Sequence, residues 1–141
     1  MPEYKYPALT ADAVIKYKKS NLILIRRKNM PFKGKLALPG GFLDKGETPE
    51  HACIREAKEE TNLDIKIIKK IGLFSGRDRD PRGLVVTVAF LCEPLKKSEA
   101  PKAQDDAARL EIVPFSKLDS LEFAFDHKDI LKRAGIIKNR D

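Results

Sequence analysis

The chain has 141 residues and a mass of 15.9 kDa, and its composition of 42% hydrophobic and 35% charged residues is typical of a globular protein. This length suits one domain with a buried core, so we expect a single domain over residues 1–141. The sequence has no apolar run of about 20 residues, and residues 1–6 lack the apolar core of a signal peptide, so we expect no membrane partner and a cytoplasmic protein.

The first part of the chain is predicted to form strands. Residues 8–17 and 21–27 are rich in aliphatic residues and are separated by a polar turn. A loop over residues 31–35 then leads into a short apolar stretch and a glycine turn at Gly40 and Gly41. A helix follows, because Thr48 is a good N-cap. Asn62 is predicted to end this helix in the left-handed conformation.

The second part is predicted to continue the sheet. Three more strands are expected over residues 63–74, 84–91 and 111–115, and a short helix over residues 116–121. The apolar run in 84–91 predicts burial on both faces of that strand. Asp126 is predicted to cap a final helix that ends near Gly135. Strands interleaved with helices predict an α/β (α+β) fold in which helices cover a sheet.

The predicted helix places three carboxylates beside Arg55. Glu56, Glu59 and Glu60 stand at i, i+3 and i+4, where like charges repel one another by roughly 0.2–0.5 kcal/mol per pair. The compensation that we expect is Mg²⁺ or Mn²⁺, because hard cations take oxygen ligands and Mg²⁺ is usually bound together with substrate phosphates. The carbonyl of Gly40 would complete this metal site. The alternative is a solvated helix in which basic residues pair with the glutamates.

This segment resembles the Nudix box, whose pattern is G-x5-E-x7-R-E-U-x-E-E-x-G-U with U a bulky aliphatic residue. The matching residues are Gly41, Glu47, Arg55, Glu56, Glu59, Glu60 and Leu63. Asn62 stands where the family has glycine and Ala57 fills the first aliphatic position, but neither change removes a carboxylate. The resemblance implies the Nudix fold, an α/β/α sandwich around a mixed β-sheet. It also implies a metal-dependent hydrolase in which Arg55 orients Glu56 or Glu47 through a salt bridge.

A charged segment between two predicted strands narrows the resemblance. Arg79-Asp80-Pro81-Arg82 looks like the corresponding segment of small ADP-ribose pyrophosphatases of the Nudix family, as do Leu36-Ala37-Leu38-Pro39-Gly40-Gly41-Phe42, Asp105-Asp106-Ala107 and Phe125-Asp126-His127. Arginine forks bind phosphate oxygens, so Arg79 and Arg82 are predicted to bind substrate, and Arg27 at the end of a strand is predicted to contact phosphate. The alternative for the segment is a solvated turn with local Asp–Arg pairs.

Hydrolysis needs a water made nucleophilic by metal ions or by a general base. Glu59 is one candidate base, and the other candidates lie beyond the long loop, at Asp105, Asp106 and Glu111. Each of these three has the alternative of an exposed charge or a helix cap. His127 is predicted to be a surface histidine in the first turn of the last helix.

The charge and the cysteines indicate neither nucleic-acid nor zinc binding. The net charge is +7, but the lysines are scattered in pairs without an aromatic platform or a recognised nucleic-acid motif. A basic field also attracts small phosphorylated metabolites. Cys53 and Cys92 have no metal-ligand spacing and are predicted to be buried, reduced thiols.

These features together predict a Mg²⁺-dependent hydrolase that cleaves ADP-ribose, or a similar nucleoside diphosphate derivative, to AMP and ribose 5-phosphate. One alternative is a MutT-like enzyme that acts on nucleoside triphosphates such as oxidised dGTP. Another is a nucleotide-sensing binding module, which would need a DNA-binding extension or a broken box. The expected partner is a small nucleotide, and the resemblance allows a homodimer because such family members are often homodimers.

Overall fold

The computed structural model describes residues 7–76, 78–104 and 107–138. In chain order the elements are β1 (Ala8–Tyr17), β2 (Asn21–Arg27), β3 (Leu36–Ala37), β4 (Gly40–Phe42), α1 (Pro49–Thr61), β5 (Ile65–Phe74), β6 (Val85–Pro94), β7 (Ala107–Pro114), a 3₁₀ helix (Phe115–Ser120) and α2 (His127–Arg133). None of the helices in the described part of the chain is both long and apolar enough to cross a membrane.

The strands form one mixed sheet. Strands β3, β2, β1, β6 and β5 lie side by side in that order, while β4 also pairs with β1 and β7 with β2. Strands β1 and β6 are parallel, and the other pairs are antiparallel. Because β6 lies between β1 and β5, its Val85, Val88 and Phe90 are buried, as the apolar run predicted.

Helices cover both faces of the sheet. One core cluster joins β1 to α1 through Ala13, Ile15 and Ala57. A second cluster joins β1 to α2 through Val14 and Leu131. Neighbouring residues of β1 therefore point to opposite layers, as the two-residue period of a strand requires. The predicted α/β/α sandwich is confirmed.

Cys53 of α1 and Cys92 of β6 belong to the first of these clusters. Both are fully buried free thiols, and their Sγ atoms are 3.8 Å apart. The neighbouring Cys92 thiol and burial raise the pKa of Cys53, so its thiol stays protonated. The prediction of buried, reduced thiols is confirmed.

The predicted ends of α1 are confirmed. The Thr48 side chain accepts a hydrogen bond from the His51 N–H at 3.1 Å. Asn62 ends the helix with a left-handed φ of 67°. The Asn62 amide also donates to Glu99 Oε2 and to the Ala100 carbonyl, both at 3.1 Å, and so attaches the loop after β6 to the end of α1.

The predicted glycine turn is wrong. Gly40 and Gly41 lie in β4, which pairs with β1 in the register Asp12↔Gly40 and Ala11↔Gly41, and neither glycine has a positive φ. Glycine is needed here because both faces of the strand are occupied. A Cβ at Gly41 would lie 2.6 Å from Glu56 Oε1, and a Cβ at Gly40 would overlap the Asp12 carboxylate.

Strand β7 is longer than the predicted 111–115. It starts at Ala107 and pairs with β2 from Arg27↔Ala107 to Asn21↔Pro114. The added residues 107–110 include few strand-forming residues, so the pairing with β2 decides their conformation.

Candidate active site

Arg55 is the centre of the ion pairs on α1. Its guanidinium makes two hydrogen bonds to the Glu47 carboxylate, at 2.7 and 2.8 Å. It also donates to Glu56 Oε1 at 2.8 Å, to Glu59 Oε2 at 3.1 Å and to the Phe42 carbonyl at 3.1 Å. The hydrogen bonds from Arg55 hold the pKa of Glu47 far below its usual range. The predicted salt bridges of Arg55 to Glu47 and Glu56 are therefore present.

The three predicted metal carboxylates are not equivalent. Glu56 and Glu60 line a cavity beside β4, whereas Glu59 is not among its lining residues and its side chain is 42% exposed. Glu60 is buried and accepts a hydrogen bond from the Gly40 N–H at 2.8 Å. Within the described ranges, no three Asp, Glu, His or Cys side chains are grouped closely enough to hold a metal ion. The structure thus brings two of the three glutamates to the cavity.

Strand β4 adds backbone groups to this side of the cavity. In an antiparallel pair, alternate residues point their N–H and C=O groups away from the partner strand. Gly40 and Phe42 are these residues in β4, since the Gly40 N–H reaches Glu60 and the Phe42 carbonyl accepts from α1. The Gly40 carbonyl lies along the same edge. We call the following set the carboxylate wall: Gly40, Gly41, Glu56 and Glu60.

The carboxylate wall fits a hard divalent cation. Mg²⁺ is usually held by one or two carboxylates, with waters and substrate phosphates in the remaining positions. Glu56, Glu60 and the Gly40 carbonyl supply oxygen donors of this kind. The missing side chain at Gly41 leaves space for the Glu56 carboxylate to lie against β4.

The cavity has a volume of about 420 Å³, which falls in the range for small-molecule sites. The three arginines that the sequence predicted as substrate ligands also line it, and we call this set the arginine wall: Arg27, Arg79 and Arg82. The structure therefore brings the predicted metal ligands Glu56 and Glu60 and the predicted phosphate ligands to one cavity.

Arg79 is held firmly by protein groups. Its guanidinium makes a bidentate ion pair with Asp126, at 2.9 and 2.7 Å, and donates to the Val85 carbonyl at 3.1 Å and to Thr87 Oγ1 at 3.0 Å. Asp126 stands at the predicted N-cap position of α2, but its side chain makes no cap hydrogen bond. The reason is that the Asp126 carboxylate binds Arg79 instead, which attaches the start of α2 to β6.

Arg82 lies among aromatic rings at the same cavity. Its guanidinium carbon is 4.7 Å from the ring centroid of Phe42 and 5.3 Å from that of Phe125. Burial opposes the ionisation of Asp80, but two side-chain hydrogen bonds from Arg82 outweigh it and lower the Asp80 pKa. Arg27 lies 5.1 Å from the Phe125 centroid. Arg82 thus forms the local Asp–Arg pair of the alternative interpretation and also lines the cavity.

The prediction of His127 as a surface histidine is wrong. His127 is buried, its Nδ1 accepts the Leu38 N–H at 2.9 Å, and its Nε2 lies 3.2 Å from Asp12 Oδ2. His127 and Asp12 both line the cavity, as do Thr10 and Thr87, whose hydroxyls are 2.6 Å apart. The sequence interpretation did not identify Asp12. The available signal was a carboxylate in the middle of an apolar strand.

None of the candidate general bases is found among the residues that line the cavity in the described part of the chain. Asp105 and Asp106 lie outside the described residues. Glu59 accepts a hydrogen bond from Arg55 and does not line the cavity. Glu111 does not line the cavity. Burial opposes the ionisation of Glu111, but hydrogen bonds from Arg26 and Arg109 outweigh it and lower the Glu111 pKa.

The chain is similar to several known proteins. The model of the NUDIX domain family matches residues 7–134. An ADP-ribose pyrophosphatase of Methanocaldococcus jannaschii is 45% identical over 129 residues, which cover 92% of this chain and 73% of that protein. The NUDIX domain of Shewanella oneidensis NrtR complexed with ADP ribose has a TM-score of 0.80 and 28% identity, covering 94% of this chain and 88% of that domain.

A third similar protein was solved with a metal. It is a bifunctional NMN adenylyltransferase/ADP ribose pyrophosphatase of Francisella tularensis, complexed with AMP and a Mn ion, with a TM-score of 0.80 and 29% identity. The match covers 92% of this chain and 41% of that one. With the family model spanning most of the sequence, and Glu56 and Glu60 of the box at a cavity, this chain belongs to the Nudix family.

Proposed function

We propose that this protein is a Mg²⁺-dependent pyrophosphohydrolase that cleaves the diphosphate of ADP-ribose, or of a similar nucleoside diphosphate derivative, to AMP and ribose 5-phosphate. The observation that carries the proposal is the meeting of the carboxylate wall and the arginine wall in one cavity. A diphosphate carries negative charge that both a cation and arginine forks neutralise. The similar ADP-ribose pyrophosphatase and the structure with ADP ribose support the choice of substrate.

The chemistry assigned to the carboxylate wall is the binding of the cation. Glu56, Glu60 and the Gly40 carbonyl would hold Mg²⁺, with Mn²⁺ as a substitute, and the cation would neutralise charge that develops on the phosphoryl oxygens. Arg55 fixes the Glu56 carboxylate by its hydrogen bond at 2.8 Å. Glu59 shares that guanidinium and stays a proposed member of the metal site and a proposed base.

The chemistry assigned to the arginine wall is the binding of the substrate. Arg82 and Arg27 would contact the diphosphate and the attached sugar, because both line the cavity beside Phe125. Arg79 also lines the cavity, and its ion pair with Asp126 fixes its position. These roles come from the cavity geometry and from the resemblance of residues 79–82 to ADP-ribose pyrophosphatases.

The reaction balances as a hydrolysis. A water oxygen forms a bond to one phosphorus, the bond from that phosphorus to the bridging oxygen breaks, and the bridging oxygen leaves on the other phosphate. The water proton passes to a base, for which Glu59, Asp105 and Asp106 are the candidates. Hydrolysis in ¹⁸O-labelled water, followed by mass spectrometry of AMP and ribose 5-phosphate, would identify the phosphorus that is attacked.

A product screen tests the proposal. The purified protein is incubated with Mg²⁺ or Mn²⁺ and with ADP-ribose, sugar nucleotides, dinucleotides, dGTP or 8-oxo-dGTP, and the products are separated by chromatography. We expect ADP-ribose to have the highest kcat/KM and to give equal amounts of AMP and ribose 5-phosphate. Faster release of pyrophosphate from 8-oxo-dGTP would instead support the MutT-like alternative.

A binding measurement completes this test. Calorimetry with ADP-ribose in Ca²⁺ would detect tight binding even where turnover is absent. Binding without hydrolysis of any compound in the screen would support the nucleotide-sensing alternative and contradict the enzyme. The absence of a nucleic-acid partner, the single domain and the homodimer stay predictions.

A further inference from the structure

His127 connects α2 to strand β1 and to the segment before β4 at the cavity. It is the first residue of α2, and its ring is buried with both nitrogens in contact with other elements. Because Nδ1 accepts the Leu38 N–H, the ring proton is on Nε2, which faces Asp12 Oδ2 at 3.2 Å. The surrounding protein thus defines one tautomer of His127.

Asp12 connects His127 to strand β4. Asp12 pairs with Gly40 across β1 and β4, and its carboxylate lies so close to Gly40 that a Cβ there would overlap Oδ1. On the opposite edge the Gly40 N–H donates to Glu60 Oε1 at 2.8 Å. A continuous series of contacts therefore runs from His127 through Asp12 and Gly40 to Glu60.

The segment that is held in this way is short. His127 binds the backbone at Leu38 directly and contacts Gly40 through Asp12, so both ends of a three-residue segment are fixed from α2. The Gly40 carbonyl belongs to the carboxylate wall. A small rotation of this segment would therefore move an oxygen donor away from Glu60.

Stability alone does not account for this buried pair. Burying a carboxylate and an imidazole requires desolvation of both, and an apolar pair of similar volume is often equally stable or more stable. In the described chain no buried side-chain nitrogen or oxygen atom lacks a hydrogen-bond partner. A series of close contacts that ends at Gly40 and Glu60 indicates a geometric role.

We propose that His127 is a positioning residue for the cation site: through Asp12 it fixes the Leu38–Gly40 segment against Glu60. This inference deepens the proposed function and rests on its cation site, and it assigns His127 no contact with the substrate. Groups that orient metal ligands typically change metal affinity by about 10–100-fold when they are replaced.

The test is Mn²⁺ binding to the 141-residue chain without nucleotide, measured by electron paramagnetic resonance. In His127→Gln the side-chain amide nitrogen replaces Nε2 and can still donate to Asp12. In His127→Asn the amide oxygen replaces Nδ1 and can still accept the Leu38 N–H, but the contact of Nε2 with Asp12 is lost. We expect His127→Asn to weaken Mn²⁺ binding at least tenfold and His127→Gln to stay within threefold of wild type.

Kinetics and a control separate this role from a structural one. With ADP-ribose at saturating Mg²⁺, we expect kcat of His127→Asn to fall at least tenfold while KM stays within threefold, because His127 does not contact the substrate. Asp129→Asn removes an exposed carboxylate from the same helix and should change neither Mn²⁺ binding nor kcat. Melting temperatures identify the variants that are folded.

A folded His127→Asn variant with Mn²⁺ affinity within threefold of wild type would overturn the proposal. If that variant does not fold, His127→Phe keeps the ring volume and is judged by the same criterion. If neither variant folds, His127 is a structural residue and the proposal is also overturned. Mn²⁺ binding needs no nucleotide, so a wild type that leaves ADP-ribose intact would contradict the proposed substrate and leave this test in place.

Discussion

The ion pairs of Arg55 beside the carboxylate wall join residues that are close in sequence, whereas Arg79 in the arginine wall pairs with a residue that is far away in the chain. Arg55 binds Glu47, Glu56 and Glu59, at separations of 8, 1 and 4 positions. Arg79 instead binds Asp126, 47 positions away. Ion pairs within one helix and its preceding loop follow from the local backbone, but the pairing of a loop with a distant helix follows only from the packing of the sheet.

The difference also concerns what each region contributes. The carboxylate wall concentrates like charges on α1, so removal of one of them should impair the chemistry more than the stability. The ion pair of Arg79 with Asp126 is compensated and largely buried, so its removal should impair stability more than chemistry. Four variants test this contrast, from the largest expected effect to the smallest.

Glu60→Gln should lower kcat for ADP-ribose by roughly 10²–10³-fold, because it removes a cation ligand from the carboxylate wall. The fold should remain, since the amide oxygen can still accept the Gly40 N–H, and the melting temperature without metal should be unchanged or slightly higher. Kinetics and thermal unfolding are measured on the same preparation.

Glu50→Gln is the matched control for this variant, because Glu50 is exposed in the first turn of the same helix. We expect its kcat to stay within about twofold of wild type. A Glu60→Gln enzyme with activity within tenfold of wild type would contradict the assignment of Glu60 to the cation site.

Asp126→Ser should lower the free energy of unfolding by about 3 kcal/mol, because it leaves the Arg79 guanidinium buried without its carboxylate. The Asp126 side chain makes no cap hydrogen bond, so this variant removes the ion pair without removing a cap. Urea unfolding measures the change, and Asp129→Asn on the same helix is expected to change stability by less than about 0.5 kcal/mol. Wild-type stability of Asp126→Ser would show that the ion pair contributes nothing.

Arg82→Ala should lower kcat/KM for ADP-ribose about tenfold, the effect expected for a charge-assisted contact of about 1.5 kcal/mol. Activity on dGTP should fall less, because the contact is proposed to involve the diphosphate and its attached sugar. Arg109→Ala is the control, since Arg109 is 67% exposed on β7. Equal small effects of Arg82→Ala on both substrates would remove the support for Arg82 as a specificity residue.

Asn62→Gly should lower the free energy of unfolding by about 1 kcal/mol, because it keeps the left-handed end of α1 but removes the amide bonds to Glu99 and Ala100. Asn62→Val should be less stable still, since a β-branched residue is strained at a φ of 67°. Denaturant unfolding of the three proteins gives the order. Equal stability of the glycine variant and wild type would show that the loop needs no attachment at this point.

The sequence predicted α1 and its charges well, and the reason is that the relevant interactions are local. The cap at Thr48, the left-handed Asn62 and the ion pairs of Arg55 all lie within about four turns of one helix, so residue type and spacing determine them. The strand β6 was also predicted, because burial on both faces needs a continuous apolar run wherever its neighbours lie.

Only the tertiary structure decided how the glycines, Asp126 and His127 are used. Gly40 looks like a turn residue until β4 pairs with β1 and places it against Asp12. Asp126 has the sequence position of a cap, yet its carboxylate binds Arg79 because the sheet brings the two together. The residue type determines the chemistry of a polar side chain, but the partner of that side chain depends on strand order and register, which are properties of the whole sheet.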